Sequence, residues 1–161
     1  MIRPVKISDA EKIAEIYNYY IANSTATFET EILTVAEMQK RIEAISAEFP
    51  YYVFVDNNDT VLGYCYAHRW KQRAAYAQTY ETSVYVAHAA RGGKIGTKLM
   101  QKLLAECKNC PCHALVACIT EGNAQSEKLH ENFGFKKVSH FEQVGKKFGK
   151  YLGVVDYLLI L

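Results

Sequence analysis

The sequence predicts an α/β fold of the α+β kind, a central mixed, mostly antiparallel sheet with helices on both faces. Two observations predict it. Short apolar, strand-like segments bounded by turn residues are interspersed with segments whose apolar residues recur every three or four positions. Their order, β-α-α-β-β-β-α-β-α-β-β, mixes hairpins with helical crossovers, and crossovers lay helices over both faces. With 161 residues, 50% hydrophobic and 22% charged, the chain is long enough to bury such a core as one domain, residues 1–161.

The elements follow in order. Ile2 to Lys6 reads as a first strand, and Ser8-Asp9-Ala10-Glu11 has the form of a capping box. It opens a helix whose Ile13, Ile16, Tyr17, Tyr20 and Ile21 share a face. Thr34-Val35-Ala36-Glu37 is a second capping box, for a helix to about Glu48. Tyr51 to Val55 and Val61 to Ala67 form a hairpin around Asn57-Asn58-Asp59, and Thr79 to Ala87 is a further strand. The turn at Gly92-Gly93 leads into a helix with Ile95, Leu99, Leu103 and Leu104 on one side. His113 to Ile119 is an apolar strand. Asn123 to Asn132 is a short helix ended by Gly134, and strands around Phe135 to Phe141 and Tyr151 to Ile160 close the fold.

Composition removes several function classes. A net charge of +2, with lysines and arginines spread along the chain, gives no footprint for nucleic acid. No apolar run reaches the roughly 18 residues of a membrane span. Met1 to Lys6 lacks the apolar core of a signal peptide, so the expected compartment is the cytoplasm. The five cysteines are then expected as free thiols. Cys107, Cys110, Cys112 and His113 lie close in sequence, but they straddle a helix end and a strand start, and no second cluster completes a zinc site. No metal is expected.

The first chemical signal is Arg91-Gly92-Gly93-Lys94-Ile95-Gly96-Thr97, between an apolar strand and an amphipathic helix. Glycines let backbone N–H groups approach an anion, and the helix N-terminus adds free donors and a favourable dipole. A pyrophosphate fits there, with Arg91 and Lys94 adding charge. A tight turn needing glycine for geometry alone is the alternative. The spacing matches neither a P-loop nor the dinucleotide fingerprint. The second signal is Asn123-Ala124-Gln125-Ser126, followed by His130 and Phe133-Gly134-Phe135; Asn123 also reads as a helix N-cap and Gly134 as its stop.

Together these segments resemble motifs A and B of the GNAT acetyltransferase superfamily, in the right order and over the whole element pattern. Lys94 stands where that superfamily usually has glycine. Trp70-Lys71-x-Arg73-x-x-Tyr76, Thr79-x-Glu81-x-Ser83-Val84-Tyr85-Val86, Leu129-His130-Glu131, the loop Thr25 to Glu31 and the stretch Gly145 to Tyr151 are similar to the phosphinothricin and methionine sulfoximine (sulfone) N-acetyltransferase group. Gly153 departs from that group's usual polar or acidic residue.

The resemblance implies acetyl-CoA as co-substrate, a small amino-acid-like substrate acetylated on its α-amine, and a homodimer. It implies a coenzyme site of Val84, Tyr85, Val86, Arg91, Gly92, Gly93, Lys94, Ile95, Gly96, Thr97, Asn123 and Ser126. Glu81 is the candidate base, because an amine with a pKa of roughly 7.7–8.0 must lose a proton before it attacks a thioester. A strand glutamate paired with a lysine is the structural alternative. Backbone amides of Val84 to Val86 can polarise the thioester carbonyl. His130 stands where many relatives place a tyrosine that protonates the departing thiolate, or it is a packed helix histidine. Arg73, followed by Ala74, Ala75 and Tyr76, is the candidate grip for a substrate carboxylate, with Phe28, Trp70 and Tyr76 as walls. His68, His88, His113 and His140 have no motif behind them and read as structural. The same frame also suits another amine, such as a polyamine or a ribosomal N-terminus, or a non-catalytic acyl-CoA sensor.

Overall fold

The computed structural model describes residues 1–161. Seven strands form one sheet in the order β1-β2-β3-β4-β5-β7-β6: β1 (Ile2–Pro4), β2 (Tyr51–Val55), β3 (Val61–Arg69), β4 (Thr79–Val86), β5 (Ala114–Thr120), β6 (Lys136–Lys147) and β7 (Lys150–Ile160). Only β4 and β5 run parallel; every other pair is antiparallel.

Strand alternation sorts side chains onto two faces. On one lie α1 (Ala10–Asn23) and α2 (Val35–Ser46), which bury Ile13, Ile21, Met38 and Ile42 against Val53, Val55 and Tyr64. On the other lie α3 (Ile95–Cys107) and α4 (Ala124–Asn132). There α3 buries Leu99, Met100 and Leu103 against Cys65, Leu115 and Tyr157. Gly63 of β3 lets α3 approach: a Cβ there would stand 3.2 Å from both Ile95 and Leu99 and 2.9 Å from the Tyr85 carbonyl oxygen.

The box at Thr34 forms as expected, with the Glu37 N–H donating to Thr34 Oγ1 at 3.2 Å and the Thr34 N–H to Glu37 at 2.8 Å. The box at Ser8 does not form. A 3-10 turn (Ile7–Asp9) precedes α1, and Asp9 accepts the Lys6 N–H at 2.8 Å. Arg3 grips the Asp9 carboxylate with two bonds of 2.8 Å. The bidentate pair outcompetes the local serine cap. The last hairpin is also longer than its apolar pattern, because β6 continues through polar residues to Lys147, with irregular register between Phe141 and Gly145.

One feature of the sheet sets up the site. β4 pairs with β5 only over Thr79 to Glu81, while its pairing with β3 continues to Val86. Beyond Glu81 the two parallel strands splay apart.

Candidate active site

The splay opens a cavity of about 760 Å³. Its walls come from β4 and β5, the first turns of α3 and α4, α1, and the loop after α1. The Ala87 N–H bonds the Leu62 carbonyl at 2.8 Å. Alternation along β4 therefore turns the Val84 and Val86 amides away from β3, toward the cavity. Tyr20 Oη donates to the Val86 carbonyl at 2.7 Å, tying α1 to this edge.

At the far end of β4 the chain makes the glycine-rich turn. Gly92 has φ +86° and nothing within 4 Å of a notional Cβ. Lys94, the α3 N-cap, adopts φ 56° and ψ 19°, the left-handed region that favours glycine. The Arg91 guanidinium lies 5.3 Å from the Tyr20 ring centroid. Arg91, Gly92, Lys94, Ile95, Gly96 and Thr97 all border the cavity; Gly93 does not. The first-turn amides of α3 lie at the helix end where a pyrophosphate binds well. An open backbone cradle, a helix N-terminus and two cations are the donor set that coenzyme A requires.

From α4, Asn123 Oδ1 accepts the Ser126 N–H at 3.3 Å, and both residues border the cavity. His130 is buried. Its Nδ1 lies 2.8 Å from the Ser126 carbonyl oxygen, so this nitrogen carries the hydrogen. Its Nε2 is a buried side-chain polar atom without a hydrogen-bond partner. Desolvation pushes the imidazole pKa below its ordinary value, with the Ser126 bond opposing that only in part.

Glu81 stands where the splay begins. Its side chain is 24% exposed, and burial raises its carboxyl pKa above the ordinary value, against the lowering influence of His68 and of a hydrogen bond with Cys118. No lysine pairs with it, so the structural alternative does not apply.

The loop from Ser24 to Thr34 has no regular structure, and side chains hold it. Tyr17 Oη lies 2.9 Å from Thr27 Oγ1 and 3.0 Å from Glu29. Burial, with the neighbouring Glu29 carboxylate, pushes the Tyr17 pKa up to about 12 against the lowering hydrogen bond of Thr27. Arg41 grips Glu29 at 2.7 and 3.1 Å. Asn18 exchanges two bonds of 2.8 Å with the Leu33 backbone. The buried Lys147 donates to the Thr27 carbonyl at 2.8 Å. Phe28 is thereby held at the cavity wall.

The structure thus brings together Phe28, Glu81, Val84, Tyr85, Val86, the turn, Asn123, Ser126 and His130. It does not bring the β3–β4 connection to the cavity wall. Trp70, Arg73, Ala74, Ala75 and Tyr76 do not border it. Arg73, Ala74 and Ala75 are exposed, and the Trp70 and Tyr76 rings pack edge-to-face on each other at 5.2 Å. The lysine and arginine side chains that do border it are Arg91, Lys94 and Lys128. Sequence reasoning missed Tyr20, Tyr66, Lys128 and Cys118, and it read His68 as structural, whereas His68 lines the cavity. Only the strand register, which no motif carries, could have found His68. No group of three metal-ligating side chains converges anywhere in the fold.

A splayed sheet over a glycine-rich helix start, with a desolvated carboxylate at the branch, is the frame of a coenzyme A-dependent acyltransferase. The chain belongs to the GNAT acetyltransferases: the acetyltransferase (GNAT) domain family matches residues 2–154. A phosphinothricin N-acetyltransferase of Streptomyces coelicolor is 33% identical over 159 residues, covering 97% of this chain and 93% of that protein. An L-methionine sulfoximine/L-methionine sulfone acetyltransferase of Pseudomonas paraeruginosa is 34% identical over 152 residues, covering 94% and 88%. The crystal structure of a phosphinothricin acetyltransferase from Sinorhizobium meliloti in complex with acetyl-CoA superposes with a TM-score of 0.97 at 31% identity, covering 100% of this chain and 88% of that one. The protein is an N-acetyltransferase that uses acetyl-CoA.

Proposed function

We propose that the chain acetylates the α-amino group of a small amino acid or analogue of the phosphinothricin, methionine sulfoximine or methionine sulfone type, by direct transfer from acetyl-CoA. Glu81 carries this reading, as a partly buried carboxylate of raised pKa beside free strand amides. The relatives' names supply the substrate class.

Glu81 attracts the substrate ammonium and takes one proton, directly or through a water. The freed amine attacks the thioester carbonyl, forming the C–N bond. The Val84 and Val86 amides stabilise the negative oxygen, and the C–S bond then breaks. The turn from Arg91 to Thr97 holds the pyrophosphate, and Asn123 and Ser126 border the pantetheine arm. His130 faces the departing sulfur. Its Nε2 carries a lone pair at rest, so it must collect a proton first; its lowered pKa makes it a ready donor once charged. Phe28 walls the substrate side chain. Arg73, with Ala74, Ala75 and Tyr76, is the proposed grip on the substrate carboxylate, a role carried by the motif Trp70-Lys71-x-Arg73-x-x-Tyr76. These residues lie off the cavity wall, so it requires the β3–β4 connection, which joins β4 at Thr79, to close over the bound substrate. We also propose a single catalytic domain, a cytoplasmic site supported by five free thiols, and a homodimer.

A panel of amino acids and analogues assayed with acetyl-CoA for thiol release tests the substrate class, and release with none of them would favour an acyl-CoA sensor. Glu81→Gln should keep acetyl-CoA affinity and lose about 10²–10⁴-fold in kcat. The loss should shrink as pH rises, because free amine then forms unaided. A normal kcat at pH 7 would remove Glu81 from the role of base.

A further inference from the structure

Glu81 gains a proton in each turnover and must lose it before the next. The reaction above leaves one of the two histidines at the cavity unused, His68. The antiparallel register of β3 and β4 sets His68 directly opposite Glu81, on the same face of the sheet. Its Nε2 lies 3.9 Å from Glu81 Oε1, a gap that one bridging water or a small side-chain rotation closes. Its Nδ1 lies 3.0 Å from the Arg69 carbonyl oxygen. A carbonyl only accepts, so Nδ1 carries the hydrogen and the neutral ring turns the Nε2 lone pair toward Glu81. The imidazole side chain is 32% exposed, so it reaches both the carboxylate and solvent.

We propose that His68 is the relay through which Glu81 passes its proton to solvent, an inference that rests on Glu81 being the base. The ammonium N–H breaks as the Glu81 O–H forms. The Glu81 O–H breaks as the His68 Nε2–H forms. The imidazolium then gives its Nε2–H proton to water or a buffer base while Nδ1–H stays on the Arg69 carbonyl, and the lone pair facing Glu81 is restored. No oxidant or further reactant enters.

The other groups around Glu81 do not serve. Cys118 on β5 stands beside Glu81, but partial desolvation and the charges of Glu81 and Asp156 hold its thiol protonated. Asp156 on β7 lies opposite Cys118, beyond the thiol, and accepts a bond from Ser139 at 2.7 Å. Tyr66, whose ring centroid is 5.7 Å from that of His68, has its hydroxyl pKa raised by burial and stays neutral.

The test uses L-methionine sulfone with acetyl-CoA. His68→Gln keeps a polar side chain of similar length but cannot carry a proton. In dilute buffer its kcat should fall roughly tenfold with KM for the amine little changed, and added imidazole should restore it. In the Glu81→Gln background the same substitution should cost nothing further. Wild-type kcat in His68→Gln, or a loss that imidazole leaves untouched and that sits in KM, overturns the relay while leaving Glu81 as base. Wild-type kcat in Glu81→Gln removes the base and the relay with it. A readout independent of turnover is the ¹⁵N spectrum of histidine-labelled protein at high pH, assigned by its difference from His68→Gln. A proton on Nδ1 is expected, and a proton on Nε2 overturns the relay.

Discussion

Lys94 shows how a residue is placed against its own preference. A side chain with φ 56° costs about 1 kcal/mol or more relative to glycine. The conformation is imposed because the chain must turn from β4 into α3 within a few residues. Lys94→Gly should therefore raise stability by about 0.5–1 kcal/mol in urea unfolding. The same change removes a cation from the cavity, so calorimetry should show weaker acetyl-CoA binding, with the difference shrinking at high salt. Glu81 carries the opposite conflict. Burial raises its pKa, so the stability tied to this group is full below the ordinary carboxylate value of about 4.3 and is lost as pH rises through the folded value. Glu81→Gln is neutral throughout and escapes that loss. Its Tm should exceed the wild-type value at pH 8, and the two should converge near about pH 4.

At the scale of elements, the substrate loop depends on the last hairpin. A Cβ on Gly145 would overlap the Phe28 ring, so β6 can pass behind the loop only as glycine. Gly145→Ala should displace Phe28 and raise KM for the amine roughly tenfold, about 1.4 kcal/mol. KM for acetyl-CoA should stay unchanged. Adding Phe28→Ala relieves the overlap, and the two substitutions together should cost less than the sum of each alone. Steady-state kinetics on the four chains decides it.

For the whole molecule, the same hairpin presents Val138, Phe141, Val144, Phe148 and Tyr151, each more than half exposed. Apolar patches of this kind mark contact surfaces. The homodimer proposed above would cover them, and light scattering should give about twice the chain mass of 18.3 kDa. A Phe141→Glu, Phe148→Glu chain should run as a folded monomer. A wild-type monomer at working concentration would count against the dimer.

Periodicity, read together with capping and turn residues, located all seven strands and four helices, because all of these are local properties of the chain. The turn from Arg91 to Thr97 and the Asn123 cap were legible for the same reason: each needs a residue type at one fixed place. The capping box at Ser8 was legible and wrong, because Arg3 reached Asp9 from β1 with a stronger bond than a serine hydroxyl offers. The length of β6 was hidden in polar residues. Only the tertiary structure decided that β4 and β5 part after Glu81, that His68 faces that carboxylate, and that Arg73 lies off the cavity wall. Each depends on which strand pairs with which and in what register, and that is fixed by burying two cores on opposite faces of one sheet rather than by any short run of residues.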